Sequence, residues 1–224
     1  MSTSTAATIT VLQAAGAAGV PVLLWGEPGV GKSALVESLA TARGVPCEVV
    51  VGSTREPADF LGLPVVAGDG SVHMAPPDWF VRLRDAGCGV LFLDELSCAP
   101  PAVQAAMLRV ARERYVGAER LPEGVSVVAA ANPPEQAADG WDLPAPMANR
   151  FCHLDYNPAL ADWLSGMTVG FDSLVEVAPA VASPTKARQA GMRAQVAAFI
   201  RRRPDLAQCC PTDPAQAGRA WASR

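Results

Sequence analysis

The chain has 224 residues, which is enough for one sizeable domain or for one domain with a small appendage. Half of its residues are hydrophobic and 18% are charged, a composition typical of globular and not of disordered proteins. The net charge of −4 argues against a broad basic surface for nucleic acid, and no apolar stretch is long enough to predict a membrane span. The start lacks a signal-peptide pattern and the six cysteines form no C-x-x-C pair, which predicts a cytoplasmic protein without zinc or disulfides.

Strand and helix patterns alternate along the first 156 residues. Continuous apolar runs predict strands buried on both faces, whereas apolar positions three or four residues apart predict helices. In chain order, the predicted elements are a helix at 8–20, a strand at 21–25, a helix at 32–44, a strand at 46–52, a hairpin at 64–76, a helix at 77–87, a strand at 88–96, a helix at 100–115, a strand at 125–134 and a last strand after residue 150. This alternation predicts an α/β fold in which helices flank both faces of a parallel sheet.

From residue 157 onward the pattern changes. The remaining sequence consists of helical pieces with a loose stretch at 176–187, and no internal repeat is found. We therefore predict a core domain at 1–156 that is followed by a small, mainly helical unit at 157–224.

A glycine-rich segment between the first strand and the second helix has the spacing G-x-x-x-x-G-K-[ST]. Glycines let the backbone N–H groups of such a turn surround phosphate oxygens at the positive end of the helix. Lys32, one of only two lysines in the chain, would reach the β- and γ-phosphates of a nucleotide, and the Ser33 hydroxyl would ligate Mg²⁺. The residues predicted to bind the nucleotide are Gly26, Glu27, Pro28, Gly29, Val30, Gly31, Lys32, Ser33 and Ala34.

Two acids end the apolar run VLFLDE. Asp94 is placed to hold Mg²⁺, and Glu95 can polarise an attacking water, which predicts a hydrolytic site. The alternative is an acidic cap for the helix at 100–115. The catalytic interpretation is preferred because ligands of parallel sheets gather at the carboxyl ends of the strands.

Two further polar residues lie at predicted strand ends. Asn132 ends the run VVAAAN and could reach the γ-phosphate or the water held by Glu95, although an Asn before two prolines is also a turn starter. Arg150 lies just before the last strand and could stabilise the charge that develops on the γ-phosphoryl group. An ordinary surface arginine is the alternative for Arg150.

Taken in this order, GEPGVGKS, LFLDE, AAAN and ANRF resemble the AAA+ ATPases and, more narrowly, the MoxR family. The resemblance covers about residues 8–156 well and the remainder loosely. It implies ATP hydrolysis with Mg²⁺ in a homo-oligomeric, hexameric ring, where Arg150 acts in trans on the neighbour's site and Asn132 takes the sensor 1 position. It also implies chaperone-like remodelling of a protein client and a partner with a von Willebrand factor A domain.

The same resemblance assigns roles to the connecting segments. The hairpin at 64–76 matches the helix-2 insert, and 114–124 matches the hairpin before sensor 1, so both would face the pore of the ring. Residues 157–224 would form a partial helical lid. The chain stops at GRAWASR, where the lid's sensor 2 arginine is expected, and Arg219 and Arg224 are candidates by position only.

Three functions are compatible with these motifs. The leading hypothesis is a MoxR-type ATPase. The second is a nucleotide-dependent assembly or scaffold module that hydrolyses little ATP because the lid is short. A small-molecule kinase is disfavoured, since Glu95, Asn132 and Arg150 together suit attack by water.

Overall fold

Five parallel strands form the centre of the molecule. The computed structural model describes residues 4–133, 141, 143–144, 148–172, 175, 185–213, 217–219 and 221. In chain order, the elements are α1 (Thr5–Ala18), β1 (Val22–Trp25), α2 (Lys32–Ala42), β2 (Cys47–Val51), α3 (Ala58–Leu61), β3 (Leu63–Val66), β4 (Val72–Ala75), α4 (Asp78–Ala86), β5 (Cys88–Asp94), α5 (Pro101–Glu113), β6 (Tyr115–Val116), β7 (Glu119–Arg120), β8 (Gly124–Ala131), β9 (Cys152–Asp155), α6 (Leu160–Val169) and α7 (Lys186–Arg202). Short 3₁₀ turns lie at Gly52–Thr54, Leu96–Cys98 and Pro204–Leu206.

The central sheet has the strand order β2-β5-β8-β1-β9, and all of its pairs are parallel. β1, β5 and β8 are buried along almost their whole length, as their continuous apolar sequences require. The register pairs Val51 with Asp94, and Trp25 with both Ala131 and Asp155. The carboxyl ends of all five strands therefore meet at one edge of the sheet.

The predicted α/β fold is confirmed, and the element ends differ in a few places. α1 begins at Thr5, three residues earlier than predicted, and ends where Gly19 adopts a left-handed φ of 68°. β5 ends at Asp94 and not at 96, because Glu95 has a φ of 55° and turns the chain out of the sheet. β8 ends at Ala131, whereas the prediction continued to 134, a residue outside the described part of the chain.

Hydrophobic clusters cover both faces of the sheet. The first cluster packs α3, α4 and α5 on one face and includes Phe60, Phe80, Leu91 and Met107. The second packs α1 and α2 on the other face and includes Ile9, Leu35, Leu39 and Phe92. Leu91 and Phe92 belong to opposite clusters because successive side chains of a strand point to opposite faces.

Both predicted hairpins are present. β3 pairs antiparallel with β4, and Gly70 at the turn has a φ of 82°, a conformation that favours glycine. β6 pairs antiparallel with β7 before β8 begins. The first hairpin exposes large apolar side chains on its strands, namely Leu63, Val65, Val66, Val72 and Met74.

The chain after residue 156 contains α6, α7 and the turn at Pro204–Leu206. Of the predicted loose stretch at 176–187, residues 176–184 lie outside the described part, whereas Lys186 and the residue after it already belong to α7. Thr185 caps this helix, because its side chain accepts a hydrogen bond from the Arg188 backbone N–H. Among the described residues, none of the helices is both long and apolar enough to span a membrane.

Adjacent valines on β2 test the packing of this strand. Val50 is fully buried in the first cluster, whereas Val49 is 36% exposed. Val50→Ala should lower the free energy of unfolding by about 2–3 kcal/mol, because two buried methyl groups are lost and a cavity remains. Val49→Ala should cost less than about 1 kcal/mol. Urea denaturation followed by circular dichroism measures both, and equal losses would contradict the placement of β2.

Candidate functional site

The turn between β1 and α2 has a backbone that only glycine adopts easily at two positions. Gly29 and Gly31 have φ values of 79° and 91°, so a side chain at either position would be strained. Gly26 is required for a different reason. A Cβ there would lie 2.6 Å from the backbone oxygen of Tyr156. The sequence pattern therefore specifies the shape of the turn as well as its spacing.

Lys32 begins α2 and directs its ammonium group back toward the turn. Its Nζ donates to the Gly26 carbonyl at 2.6 Å, to the Glu27 carbonyl at 3.0 Å and to Asn132 Oδ1 at 3.0 Å. Only 8% of the residue is exposed. Burial lowers the pKa of Lys32, and the nearby Asp94 carboxylate and the Cys98 thiol oppose part of that shift.

Asp94 connects the tip of β5 to α2 and to the next residue. Its Oδ2 accepts from the Ser33 hydroxyl at 2.9 Å, and its Oδ1 accepts from the Glu95 backbone N–H at 2.8 Å. A hydroxyl and a carboxylate oxygen are the hard ligands that Mg²⁺ prefers, usually together with water and substrate phosphates. The residues present therefore fit the predicted magnesium site.

Glu95 has a hydrogen-bond partner that sequence analysis missed. Ser53, in the turn after β2, donates from its hydroxyl to Glu95 Oε2. The strand register explains the contact. Val51 pairs with Asp94, and Ser53 and Glu95 follow these two residues by two positions and one position. The general rule that strand ends meet at one edge could have singled out Ser53, although no local motif marks it.

A second serine, Ser97, supports Asn132. Ser97 is buried in the turn after Glu95, and its Oγ accepts from the Asn132 backbone N–H at 3.2 Å. The Ser97 carbonyl also accepts from the Trp141 backbone N–H at 2.8 Å. These contacts hold the end of β8 against the end of β5, so that Asn132 Oδ1 faces Lys32.

The glycine-rich turn and the ends of β5 and β8 enclose one open cleft of about 320 Å³. It is lined by Pro28, Gly29, Gly31, Lys32, Ser33, Ala34, Asp94, Glu95 and Asn132. The described residues contain no group of three or more His, Cys, Asp or Glu side chains that could hold a metal ion. The glycine-rich turn and Lys32 suit an anion on one side of the cleft, and the Ser33 hydroxyl and the Asp94 carboxylate suit a cation beside it.

Arg150 lies apart from this cleft in the same chain. It occupies the turn that precedes β9 and is absent from the set of residues that line the cleft. The preceding Asn149 accepts from the Trp221 backbone N–H at 2.9 Å. Before this turn, Ala148 is helical and residues 145–147 lie outside the described part.

Arg219, one of the two sensor 2 candidates, is bound beside the turn. Its guanidinium lies 4.3 Å from the centre of the Trp25 ring and donates to Asp155 Oδ1 at 2.7 Å. It lines a neighbouring cleft with Gly26 and Glu27. Arg224 lies outside the described residues.

The family is decided by a match over residues 21–151 to the sequence profile of the AAA domain, dynein-related subfamily. The chain belongs to this AAA family. The matched segment runs from β1 to the residue before β9, and so contains every group that lines the cleft. At the level of the family, the match supports nucleotide binding and ATPase activity.

Individual relatives agree with this assignment. The chain is similar to Protein MoxR of Methylorubrum extorquens and to Protein MoxR of Paracoccus denitrificans, each 33% identical over 135 residues and 58% of this chain. The matches cover 38% and 39% of those proteins, so the chain spans about two fifths of their length. In fold, it is similar to a candidate ATPase of Cytophaga hutchinsonii, with a TM-score of 0.54, 20% identity, and coverage of 78% of this chain and 58% of that one.

In this AAA domain the structure brings together most of the residues that the sequence singled out. The glycine-rich turn, Asp94, Glu95 and Asn132 surround one cleft, whereas Arg150 lies outside it. Ser53 and Ser97 join the site as supporting residues. In the sequence, the two serines are marked only by their position shortly after the end of a strand. Many residues share such a position, so it does not identify a site residue.

Lys32 makes a pH-dependent contribution to stability. A lysine with a lowered pKa in the folded protein binds fewer protons than it does in the unfolded chain, between the lowered value and the ordinary value of 10.5. The free energy of unfolding therefore rises with pH through this window. Lys32→Met removes the contribution, so the stability of wild type minus variant should increase toward pH 10.5 and then level off.

Urea denaturation over a series of pH values measures this difference. Lys186→Met is the matched control, since it removes the chain's other lysine, which is exposed on α7. If the stability difference between wild type and Lys32→Met falls as the pH rises, the attraction by Asp94 has a larger effect on the pKa of Lys32 than burial has, which would contradict the prediction.

Proposed function

We propose that this chain is a Mg²⁺-dependent ATP hydrolase of the MoxR type. One observation carries the proposal. The hydrogen bonds from Lys32 to Asn132 and from Ser33 to Asp94 draw three separate sequence motifs around a single cleft. A buried ammonium group and half-buried polar groups beside it, at the carboxyl ends of parallel strands, are suited to hold a polyphosphate and to hydrolyse it.

In this proposal, each group of the cleft has a separate role. The N–H groups of the glycine-rich turn and the N-terminus of α2 bind phosphate oxygens, and the Lys32 ammonium neutralises charge on the β- and γ-phosphates. Ser33 and Asp94 would hold Mg²⁺, which supplies further charge neutralisation when it is bound. Asn132 is placed beside Lys32, where its amide can orient the γ-phosphate or the attacking water.

Glu95 acts as the general base in this proposal. Its carboxylate lines the cleft, and its left-handed backbone directs the chain away from β5 at this residue. The Ser53 hydroxyl donates to one carboxylate oxygen, which leaves the other available to accept a proton from water. Ser53 is therefore a positioning residue for Glu95.

Two substitutions separate nucleotide binding from hydrolysis. Glu95→Gln keeps the shape of the side chain and loses the base, so kcat should fall by about 10²–10⁴-fold while ATP still binds. Lys32→Ala should weaken ATP binding itself, because it removes a buried charge that faces the phosphates. Fluorescent-nucleotide titration and phosphate release measure the two effects. Wild-type turnover in both variants would overturn the assignment, and a wild type that binds ATP without turnover would favour the assembly module.

We propose that Arg150 completes the site of a neighbouring copy in a homo-oligomeric ring. Its place before β9, outside the cleft of its own chain, favours action in trans. An arginine that reaches the γ-phosphoryl group stabilises the charge of the transition state and contributes about 10³-fold or more to kcat. Ring formation would make turnover per chain rise with protein concentration.

Mixing two inactive variants tests this arrangement. Arg150→Ala keeps the base and Glu95→Gln keeps the arginine, so a mixed ring contains some sites with both groups. Turnover should be negligible in each variant alone and should reappear on mixing. Arg112→Ala, at an exposed position on α5, is the control and should retain wild-type turnover. A mixture as inactive as its components would contradict action in trans.

We further propose that turnover drives chaperone-like remodelling of a protein client in the cytoplasm, together with a partner that carries a von Willebrand factor A domain. The exposed apolar side chains of the β3–β4 hairpin support a client contact, because such a patch on a soluble domain usually marks an interaction site. Cross-linking from Val66 at the end of β3 would identify the client, and a hairpin that captures none would count against this role.

A further inference from the structure

A short series of hydrogen bonds joins the end of β1 to the segment that carries Arg150. Trp25, the last residue of β1, directly precedes Gly26 and is almost completely buried. Its indole Nε1 donates to His153 Nδ1 at 2.9 Å. His153 lies on β9 and pairs with Leu23 in the register, so its side chain is on the same face of the sheet as that of Trp25.

The other ring nitrogen of His153 holds the turn that presents Arg150. An indole N–H can only donate, so His153 Nδ1 is the acceptor and the ring hydrogen is on Nε2. Nε2 therefore donates to the Ala148 carbonyl, at 2.6 Å. The Phe151 N–H donates to the same carbonyl at 3.4 Å, which closes a four-residue turn with Arg150 at its third position. Both lone pairs of this carbonyl are thus used, one within the turn and one by His153.

These two hydrogen bonds require a neutral ring, and the surroundings of His153 favour one. Burial lowers its pKa, the hydrogen bond to the Ala148 carbonyl opposes that shift, and the nearby Arg219 guanidinium adds to it. Asp155 favours the charged ring, but its carboxylate is bound to Arg219 at 2.7 Å. A proton on Nδ1 would leave the Trp25 indole N–H without its acceptor. The neutral tautomer is therefore the one that completes the series.

We propose that His153 is a positioning residue for Arg150, because it fastens the turn that carries the arginine to Trp25 in the central sheet. The inference rests on the proposed action of Arg150 in the site of a neighbouring copy. It adds to that proposal the group that keeps the arginine in place. Accurate placement is required, since a displacement of about 1 Å near the reacting atoms can lower the rate by about 10²-fold.

The glycine-rich turn of the same chain has hydrogen bonds of its own. The Gly26 N–H donates to the Ala131 carbonyl at 3.3 Å, and the Gly26 carbonyl accepts from Lys32 Nζ at 2.6 Å. Neither Trp25 nor His153 is among the residues that line the nucleotide cleft. Loss of the His153 ring should therefore disturb the arginine that a copy donates and leave its own cleft intact.

Three substitutions at one position test this role. His153→Phe keeps a ring and loses both hydrogen bonds, His153→Asn can still accept from Trp25, and His153→Gln can still donate to the Ala148 carbonyl. We expect kcat to fall by about 10–100-fold for Phe and Asn, and Gln to retain most of the turnover. Fluorescent-nucleotide titration should give wild-type ATP affinity for all three. A Gln variant as inactive as Phe, or weakened ATP binding in folded variants, would overturn the proposal.

Mixing experiments show through which site His153 acts. A His153→Phe chain keeps its base and a Glu95→Gln chain keeps a well-placed arginine, so turnover should rise when the two are mixed. His153→Phe mixed with Arg150→Ala should gain no turnover, because neither chain presents the arginine correctly. The reverse pattern would mean that His153 acts through the cleft of its own chain, and it would overturn the proposal.

Hydrogen exchange measured by NMR reports on the turn without any turnover. The Phe151 amide should exchange faster in His153→Phe and His153→Asn than in wild type or His153→Gln, because the carbonyl that it bonds is no longer held. The amide of Leu24, which is fully buried at the centre of the sheet, is the internal control and should not change. Unchanged exchange of Phe151 in His153→Phe would contradict the inference.

Two outcomes separate this inference from the proposed function. If Arg150→Ala is inactive and complements Glu95→Gln, whereas His153→Phe turns over ATP like wild type, the inference fails and the proposed function stands. If Arg150→Ala hydrolyses ATP like wild type, or does not complement Glu95→Gln, the proposed role of Arg150 fails and the inference fails with it.

Discussion

The site depends on one buried ammonium group. Lys32 is almost completely shielded from water. An uncompensated charge at such a position would lower the free energy of unfolding by several kcal/mol. Two carbonyls of its own turn and the amide oxygen of Asn132 compensate it. The same hydrogen bonds fix the turn and join β1 to β8. The conformation that satisfies the lysine is therefore also the one that holds the glycine-rich turn at the cleft.

Strand order determines which side chains reach this lysine. Because β5 and β8 follow each other in the sheet and β8 lies next to β1, Asp94 and Asn132 lie on the same side of the turn. The pairing of β2 with β5 adds Ser53 beside Glu95. A different order of the same strands would keep each motif intact and separate the residues. The chemistry of the cleft is thus a property of the topology as much as of the motifs.

The sequence predicted the parts of the structure that depend on local patterns. The central strands are continuous apolar runs, and the glycine spacing of the turn has a steric cause at Gly26 and at Gly31. It did not predict that β5 ends at Asp94, since the left-handed backbone of Glu95 occurs without a glycine and depends on its surroundings. Ser53 and Ser97 were missed for a related reason. Their roles exist only across strands that are distant in sequence.

On the functions proposed here, binding and assembly use separate parts of the chain. The nucleotide cleft is built from β1, α2 and the ends of β5 and β8, all within one copy. Arg150 is not among the residues that line that cleft. A single copy can therefore hold ATP through Lys32 before any neighbour arrives, whereas efficient hydrolysis requires a second chain to supply its arginine.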